Sequence, residues 1–170
     1  MEIAAPYLVD LSKKHETRVD LTVLDGTDIV YLSRVPSRDE LLNLAPLGRR
    51  WPAVNTASGR AILATLSDED LGHILSSSTY TKHTPYTLTN RNQIVETIKK
   101  ARSDGYAFQS EEVLQGAASV GAAVIDGEKH VHGAIIIGGP AAAFEDSDKK
   151  HAFGMSAIQT AQAIGTYNLA

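Results

Sequence analysis

Four short stretches of this chain carry residue types that could do chemistry. Asn55-Thr-Ala-Ser-Gly-Arg-Ala-Ile-Leu63 places capping and small residues directly before an aliphatic run. A helix that starts this way offers backbone N–H groups with no partner inside the helix, and an anion is a natural acceptor for them. His130 and His132 alternate along an extended run and could give two ligands to a metal. No third ligand stands nearby and Lys129 disfavours a cation, so the pair reads as a solvated strand edge. Glu111-Glu112 could act as a general acid or base, or hold its own loop through hydrogen bonds and ion pairs. Arg49-Arg50-Trp51 could hold a carboxylate, although arginines beside prolines in a loop are usually just exposed. Gly116-Ala-Ala-Ser-Val-Gly121 spaces two glycines without the Lys-Ser/Thr that a phosphate loop needs, and there is no Gly-x-Ser-x-Gly elbow. None of these signals argues for catalysis.

The elements that must position these residues follow from periodicity and capping. Ala4, Tyr7, Leu8 and Leu11 recur at helical spacing and predict an opening helix over 3–14. Val19, Leu21 and Val23 alternate with Asp20 and Thr22, Asp25-Gly26 turns, and Ile29–Leu32 returns as a second strand. A third strand is expected at Glu40–Ala45 before Pro46, Gly48 and Pro52 break the chain. The Asn55 stretch then runs as a helix to Leu66, capped by Asn55 or Thr56, and Ser67-x-x-Asp70 opens another helix through Leu75. Residues 76–89 read as a surface loop, and Asn90 to Gly105 as a capped helix with Ile94, Ile98 and Ala101 on one face. Strands are expected at Tyr106–Gln109, Ser119–Ile125 and Val131–Ile137, with Asp126-Gly127 turning between the last two, and a final helix starts near Asp146. Strands grouped into hairpins give an α+β domain with an antiparallel sheet flanked by helices. The run Ile135-Ile136-Ile137 is too apolar for a sheet with one wet face, so helices should cover both sides, or an enclosed pocket lie on one, with Gly138 leaving room for a ligand.

Composition narrows the class. The 170 residues, 43% hydrophobic and 21% charged, suffice for one core, so residues 1–170 read as a single domain. A net charge of -4 argues against a nucleic-acid surface on this polypeptide. The lack of cysteine removes disulfides, thiolate nucleophiles and cysteine metal sites, and suits a reducing cytoplasm. Glu2 and Asp10 break the opening apolar patches, which therefore form neither a signal peptide nor a membrane span.

Five blocks stand in one order: VDLTVLDGTDIVYLSRV at 19–35, PAVNTASGRAILA at 52–64, DGYAFQSEE at 104–112, GAASVGAAVID at 116–126 and AIIIGGP at 134–140. In order and spacing they resemble the effector-binding domain of IclR-type transcriptional regulators, and the resemblance covers nearly the whole chain. It implies a GAF-like or profilin-like antiparallel sheet of about six strands, no cofactor and no enzymatic activity. It further implies a small carboxylate effector, self-association as a homodimer or homotetramer, and contact with DNA only through a winged helix-turn-helix domain that precedes this one in the family. The competing classes are an enzyme acting on a small acid and a purely structural dimerisation domain.

Carried over by position, the resemblance sets the ligand between the Asn55 stretch and the sheet. Ala57, Ser58 and Gly59 match small residues whose backbone approaches the ligand, while Asn43 and Leu44 match one wall. Gln109 stands where the family often has aspartate, and Ala117 and Ser119 match the facing loop and strand. Ile136 and Gly138 replace hydroxyl residues common in members that bind very small polar acids, and Arg60, often lysine in the family, resembles the branch that senses aromatic acids. Two helix-start hydrogen bonds at about 1.5–3 kcal/mol each fall short of the ~8 kcal/mol that micromolar affinity needs. The remainder must come from burying the ligand's body, and Leu44, Ala117 and Ile136 favour an apolar or aromatic one, with Gln109 or Ser119 bonding a ring hydroxyl.

Overall fold

A computed structural model describes residues 3–37 and 47–167. Helix α1 (Ala4–His15) precedes the hairpin of β1 (Arg18–Asp25) and β2 (Asp28–Val35), whose two-residue turn is allowed by Gly26 at φ 63°. The strand expected at Glu40–Ala45 lies outside the described residues. A strand not anticipated from sequence, β3 (Arg50–Pro52), pairs with the start of β2. Proline is compatible with this position because β3 is the outermost strand of the sheet and needs only one ladder.

The chain continues through a 3-10 turn (Ala53–Asn55) into α2 (Ala57–Leu63), then α3 (Asp68–Ser77) and α4 (Arg91–Asp104). Thr56 caps α2, Ser67 caps α3, and Asn90 caps α4 by accepting from the amides of Asn92 and Gln93. Strands β4 (Ala107–Ser110), β5 (Ala117–Ile125) and β6 (Val131–Pro140) follow, and α5 (Ser147–Gly165), capped by Asp146, closes the described chain.

The six strands form one antiparallel sheet in the order β3-β2-β1-β6-β5-β4. Helices cover both faces, as the apolar run in β6 requires. On one face α1 and α5 bury Leu8, Leu11, Phe153 and Ile164 against Val19, Val120, Ile135 and Ile137. On the other, α2, α3 and α4 bury Leu63, Leu75, Ile94 and Ile98 around Ile29 and Val54. Side chains alternate between faces along a strand, so Ile136 points away from its neighbours Ile135 and Ile137, towards the α2 side.

The register of the central strands lays two cross-strand rows on that α2 side. Arg34, Asp20, Ile136 and Gly121 stand opposite one another across β2, β1, β6 and β5. Arg18, Gly138, Ser119 and Gln109 do the same across β1, β6, β5 and β4. At Gly121 α2 comes close to the sheet: a Cβ there would lie 2.8 Å from the Ser58 amide nitrogen. The missing side chain lets the start of α2 rest directly on the sheet.

Candidate functional site

Beside that contact, members of the two rows line a cavity of about 170 Å³. Arg18, Arg34 and Tyr31 of β1 and β2 make one wall, continued by Arg49 and Trp51 at the sheet edge. Thr56 and Ala57 close it from the start of α2, and Gln109, Ser119 and Ile136 lie beneath. Val113, Leu114 and Ala117, in and after the β4–β5 loop, finish the rim, with the Leu114 side chain exposed.

Buried Asp20 anchors the arginine wall. Its Oδ1 accepts from Arg34 Nε at 2.6 Å and its Oδ2 from Arg18 Nε at 3.0 Å and Arg34 Nη2 at 3.3 Å. A carboxylate removed from water is tolerated only with such partners. Arg34 also lies 5.0 Å over the Tyr31 ring. Burial, and then the Asp20 charge, push the Tyr31 hydroxyl above its usual range, so it stays a neutral O–H. Arg49 stacks on Trp51 with its guanidinium carbon 4.5 Å from the ring centre, and His83 meets the same ring edge-on at 5.1 Å.

The polar groups beneath have a determined direction. Glu112 donates its amide to Gln109 Oε1 at 3.1 Å, and Gln109 Nε2 therefore donates to Ser119 Oγ at 3.0 Å. With that lone pair taken, the hydroxyl hydrogen of Ser119 is left to donate elsewhere. Behind this relay sits a buried ion pair: Arg60 Nη1 and Nη2 meet Glu112 Oε1 and Oε2 at 2.6 and 2.7 Å, and Arg60 Nε reaches the Val54 carbonyl at 2.7 Å. Glu112 Oε2 also accepts from the Leu88 amide at 3.1 Å, so the pair ties the 83–88 loop to α2. Arg60 is thus engaged behind the cavity and not on its wall. Glu112 holds its loop, the structural alternative weighed for the Glu111-Glu112 pair.

Of the residues expected to contact a ligand, Ala57, Gln109, Ala117, Ser119 and Ile136 stand on this cavity. Asn43 and Leu44 lie outside the described residues. Ser58 and Gly59 are buried against protein instead: a Cβ on Gly59 would fall on the backbone of Ala53, and Thr56 Oγ1 already accepts from the Gly59 amide at 3.1 Å. The space above Gly138, expected to admit a ligand, is filled by the Arg18 guanidinium, which crosses where a side chain would begin. Sequence reasoning passed over Arg18, Tyr31 and Arg34, and placed Arg49 and Trp51 in an ordinary exposed loop. No local signal marked Arg49 and Trp51, because the strand that turns them to one face owes its pairing to β2.

The two histidines belong elsewhere. His132 Nε2 is 2.6 Å from Asp126 Oδ2 and His130 Nδ1 is 3.4 Å from it, at the β5–β6 turn. Among the described residues no cluster of metal-ligating side chains forms. The His132 hydrogen bond, helped by the amides of His130 and Glu128, lowers Asp126 to about 2 from its ordinary 3.8. A carboxyl group depressed on folding adds stability above its unfolded value and loses it as pH falls through its folded value. Asp126→Asn should therefore lower the melting temperature at about pH 6 and converge on wild type as pH approaches 2, which thermal unfolding across that range would show.

Comparison with known proteins places the chain in a family. The family model described as bacterial transcriptional regulator IclR C-terminal matches residues 1–166. The HTH-type transcriptional regulator XynR of Escherichia coli K12 is 32% identical over 132 residues, 78% of this chain and 52% of XynR. The repressor AllR of Salmonella typhi is 27% identical over 166 residues, 98% of this chain and 61% of AllR. The chain therefore spans about half to three fifths of the length of these relatives. Among solved structures, IclR of Thermotoga maritima superposes with a TM-score of 0.90 at 29% identity, covering 96% of this chain and 66% of that one.

Proposed function

This chain belongs to the IclR family of bacterial transcriptional regulators, matching its C-terminal effector-binding domain, and from that premise we propose that it senses a small carboxylate with an aromatic or similarly flat body. The relatives it matches are regulators, and the domain is regulatory rather than enzymatic. Support for the ligand class comes from one observation: guanidinium groups and aromatic rings share the wall of a cavity of about 170 Å³. An apolar protein cavity of about 150 Å³ takes a benzene ring, so the space suits a single ring or a body of that size. Cations on its wall suit an acid, and Ala117 and Ile136 suit the apolar part.

In this reading the effector rests against Ala57, Gln109, Ala117, Ser119 and Ile136, with Ser58, Gly59 and Gly138 shaping the surrounding backbone. Asn43 and Leu44 are kept as wall positions on the strength of the family pattern. A bound effector shifts the domain's conformational equilibrium only by its difference in affinity for the two states. The Gln109–Glu112–Arg60 relay gives that difference a route from the cavity to the 83–88 loop. The signal then acts on DNA through a preceding helix-turn-helix domain, in a homodimer or homotetramer, in the cytoplasm. Among the described residues no helix is long and apolar enough to cross a membrane.

Isothermal titration of the folded chain with benzoate, 3-hydroxybenzoate, pyruvate and gluconate tests the proposal. Saturable binding of at least one, strongest for a ring acid, is expected, with quenching or enhancement of Trp51 fluorescence because Trp51 is the sole tryptophan. Absence of binding across such a panel at millimolar concentration would overturn it.

A further inference from the structure

Resting on that reading, we infer that Arg49, braced on the face of Trp51, is the residue that recognises the effector's acid group. The acid then sits against the strand wall and not at the start of α2.

Backbone pairing presents Arg49 to the cavity. Tyr31 donates its amide to the Arg49 carbonyl at 3.1 Å, and the Gly48 amide donates to the Tyr31 carbonyl at 2.8 Å, extending the β2–β3 ladder by one step. Alternation then divides the side chains of this stretch. Arg50 turns outward and bonds Asp25 and Asp28 at 2.6 and 3.2 Å, while Arg49 and Trp51 share the cavity face. This contact with the ring face holds the guanidinium in place without using its N–H donors, leaving a planar donor array for a carboxylate.

The other cations near the cavity have their roles assigned. Arg18 and Arg34 are bonded to the buried Asp20, and Arg60 is bonded to Glu112. No carboxylate is bonded to Arg49 among the described residues. At the start of α2, Thr56 accepts from the Gly59 amide, and the Ser58 nitrogen lies where a Cβ on Gly121 of β5 would meet it. Thr56 and Ala57 border the cavity there, but the Gly59 amide is already taken and Ser58 is fully buried, so the helix start offers an acid few donors. Across the cavity from Arg49, the Ser119 hydroxyl is directed by Gln109 to donate, so an acid bearing a second oxygen at its far end gains a further bond.

Matched titrations of benzoate and benzamide, two rings of the same shape that differ in charge, test the assignment on wild type, Arg49→Ala, Arg49→Lys and Arg50→Ala. Arg49→Ala should weaken benzoate about 10- to 100-fold while leaving benzamide unchanged, since a bond to a charged group has that worth. Arg49→Lys should fall between, because an ammonium keeps the charge and loses the planar fork. Arg50→Ala should keep the wild-type ratio. If benzoate binds wild type and the benzoate-to-benzamide ratio survives in Arg49→Ala, the acid is held elsewhere and this inference alone falls. If Arg49→Ala weakens both ligands equally, Arg49 shapes the cavity without reading charge, and the inference falls likewise. If neither benzoate nor any other acid of the panel binds wild type, the sensing proposal and this inference fall together.

Discussion

Glu112→Ala should cost the domain about 3–5 kcal/mol, read as a lower denaturation midpoint in urea at an unchanged slope. Arg60 is 1% exposed, and in the variant its guanidinium would keep only the Val54 carbonyl at 2.7 Å. A cation stranded in this way loses its compensation for leaving water, and that loss exceeds the attraction the pair contributes. The Leu88 amide loses its acceptor too, adding about 1–3 kcal/mol if water does not replace it. Replacing both partners, as Arg60→Met with Glu112→Leu, should recover much of the stability, because apolar groups of similar volume need no partners. The double variant should nevertheless bind effector less well, since the Glu112 side chain would no longer hold the 83–88 loop to α2. A loss below about 1 kcal/mol for Glu112→Ala would mean that water already solvates the pair.

Gly59→Ala should destabilise by about 3 kcal/mol, the opposite of what helix propensity predicts. Alanine in place of glycine within a helix normally gains up to about 1 kcal/mol. Here the added methyl would meet the carbonyl oxygen and Cα of Ala53, which are backbone atoms and cannot rotate aside. Relief requires shifting the 3-10 turn at Ala53–Asn55, whose Ala53 amide is tied to the Thr27 carbonyl at 2.9 Å beside β3. The Arg49–Trp51 wall would shift with it, so effector affinity should drop as well. Calorimetric unfolding supplies the sign: a neutral or raised melting temperature would show that the turn yields cheaply.

These two outcomes mark where sequence reading works and where it stops. Ser67 and Asn90, and Thr56 as one of two candidates, were readable as caps because a cap acts within three residues of itself. Gly26 at its turn and Gly105 at the end of α4, with φ 63° and 80°, are local for the same reason. The sheet's covering on both faces was readable from Ile135-Ile136-Ile137, and the five ordered blocks carried the family. Strand β3 was not readable, because three residues ending in proline have no periodicity and owe their pairing to β2. Gly59 was read as room for a ligand, whereas its lack of a side chain admits Ala53, a contact that only the bend of the chain creates.

By itself the sequence determined the helices, the hairpins, the absence of thiol chemistry and the regulator family, since each rests on neighbours along the chain or on ordered motifs. Only the tertiary structure decided which side chains meet. Arg60 finds Glu112 across 52 residues, and no local pattern announces such a pair. Arg18, Gly138, Ser119 and Gln109 form one row solely because β1, β6, β5 and β4 pair in that order and register. A one-residue slip in any of those pairings would turn its side chains to the opposite face and dissolve the cavity floor. Position along a strand allows two faces, and packing against α2 selects one.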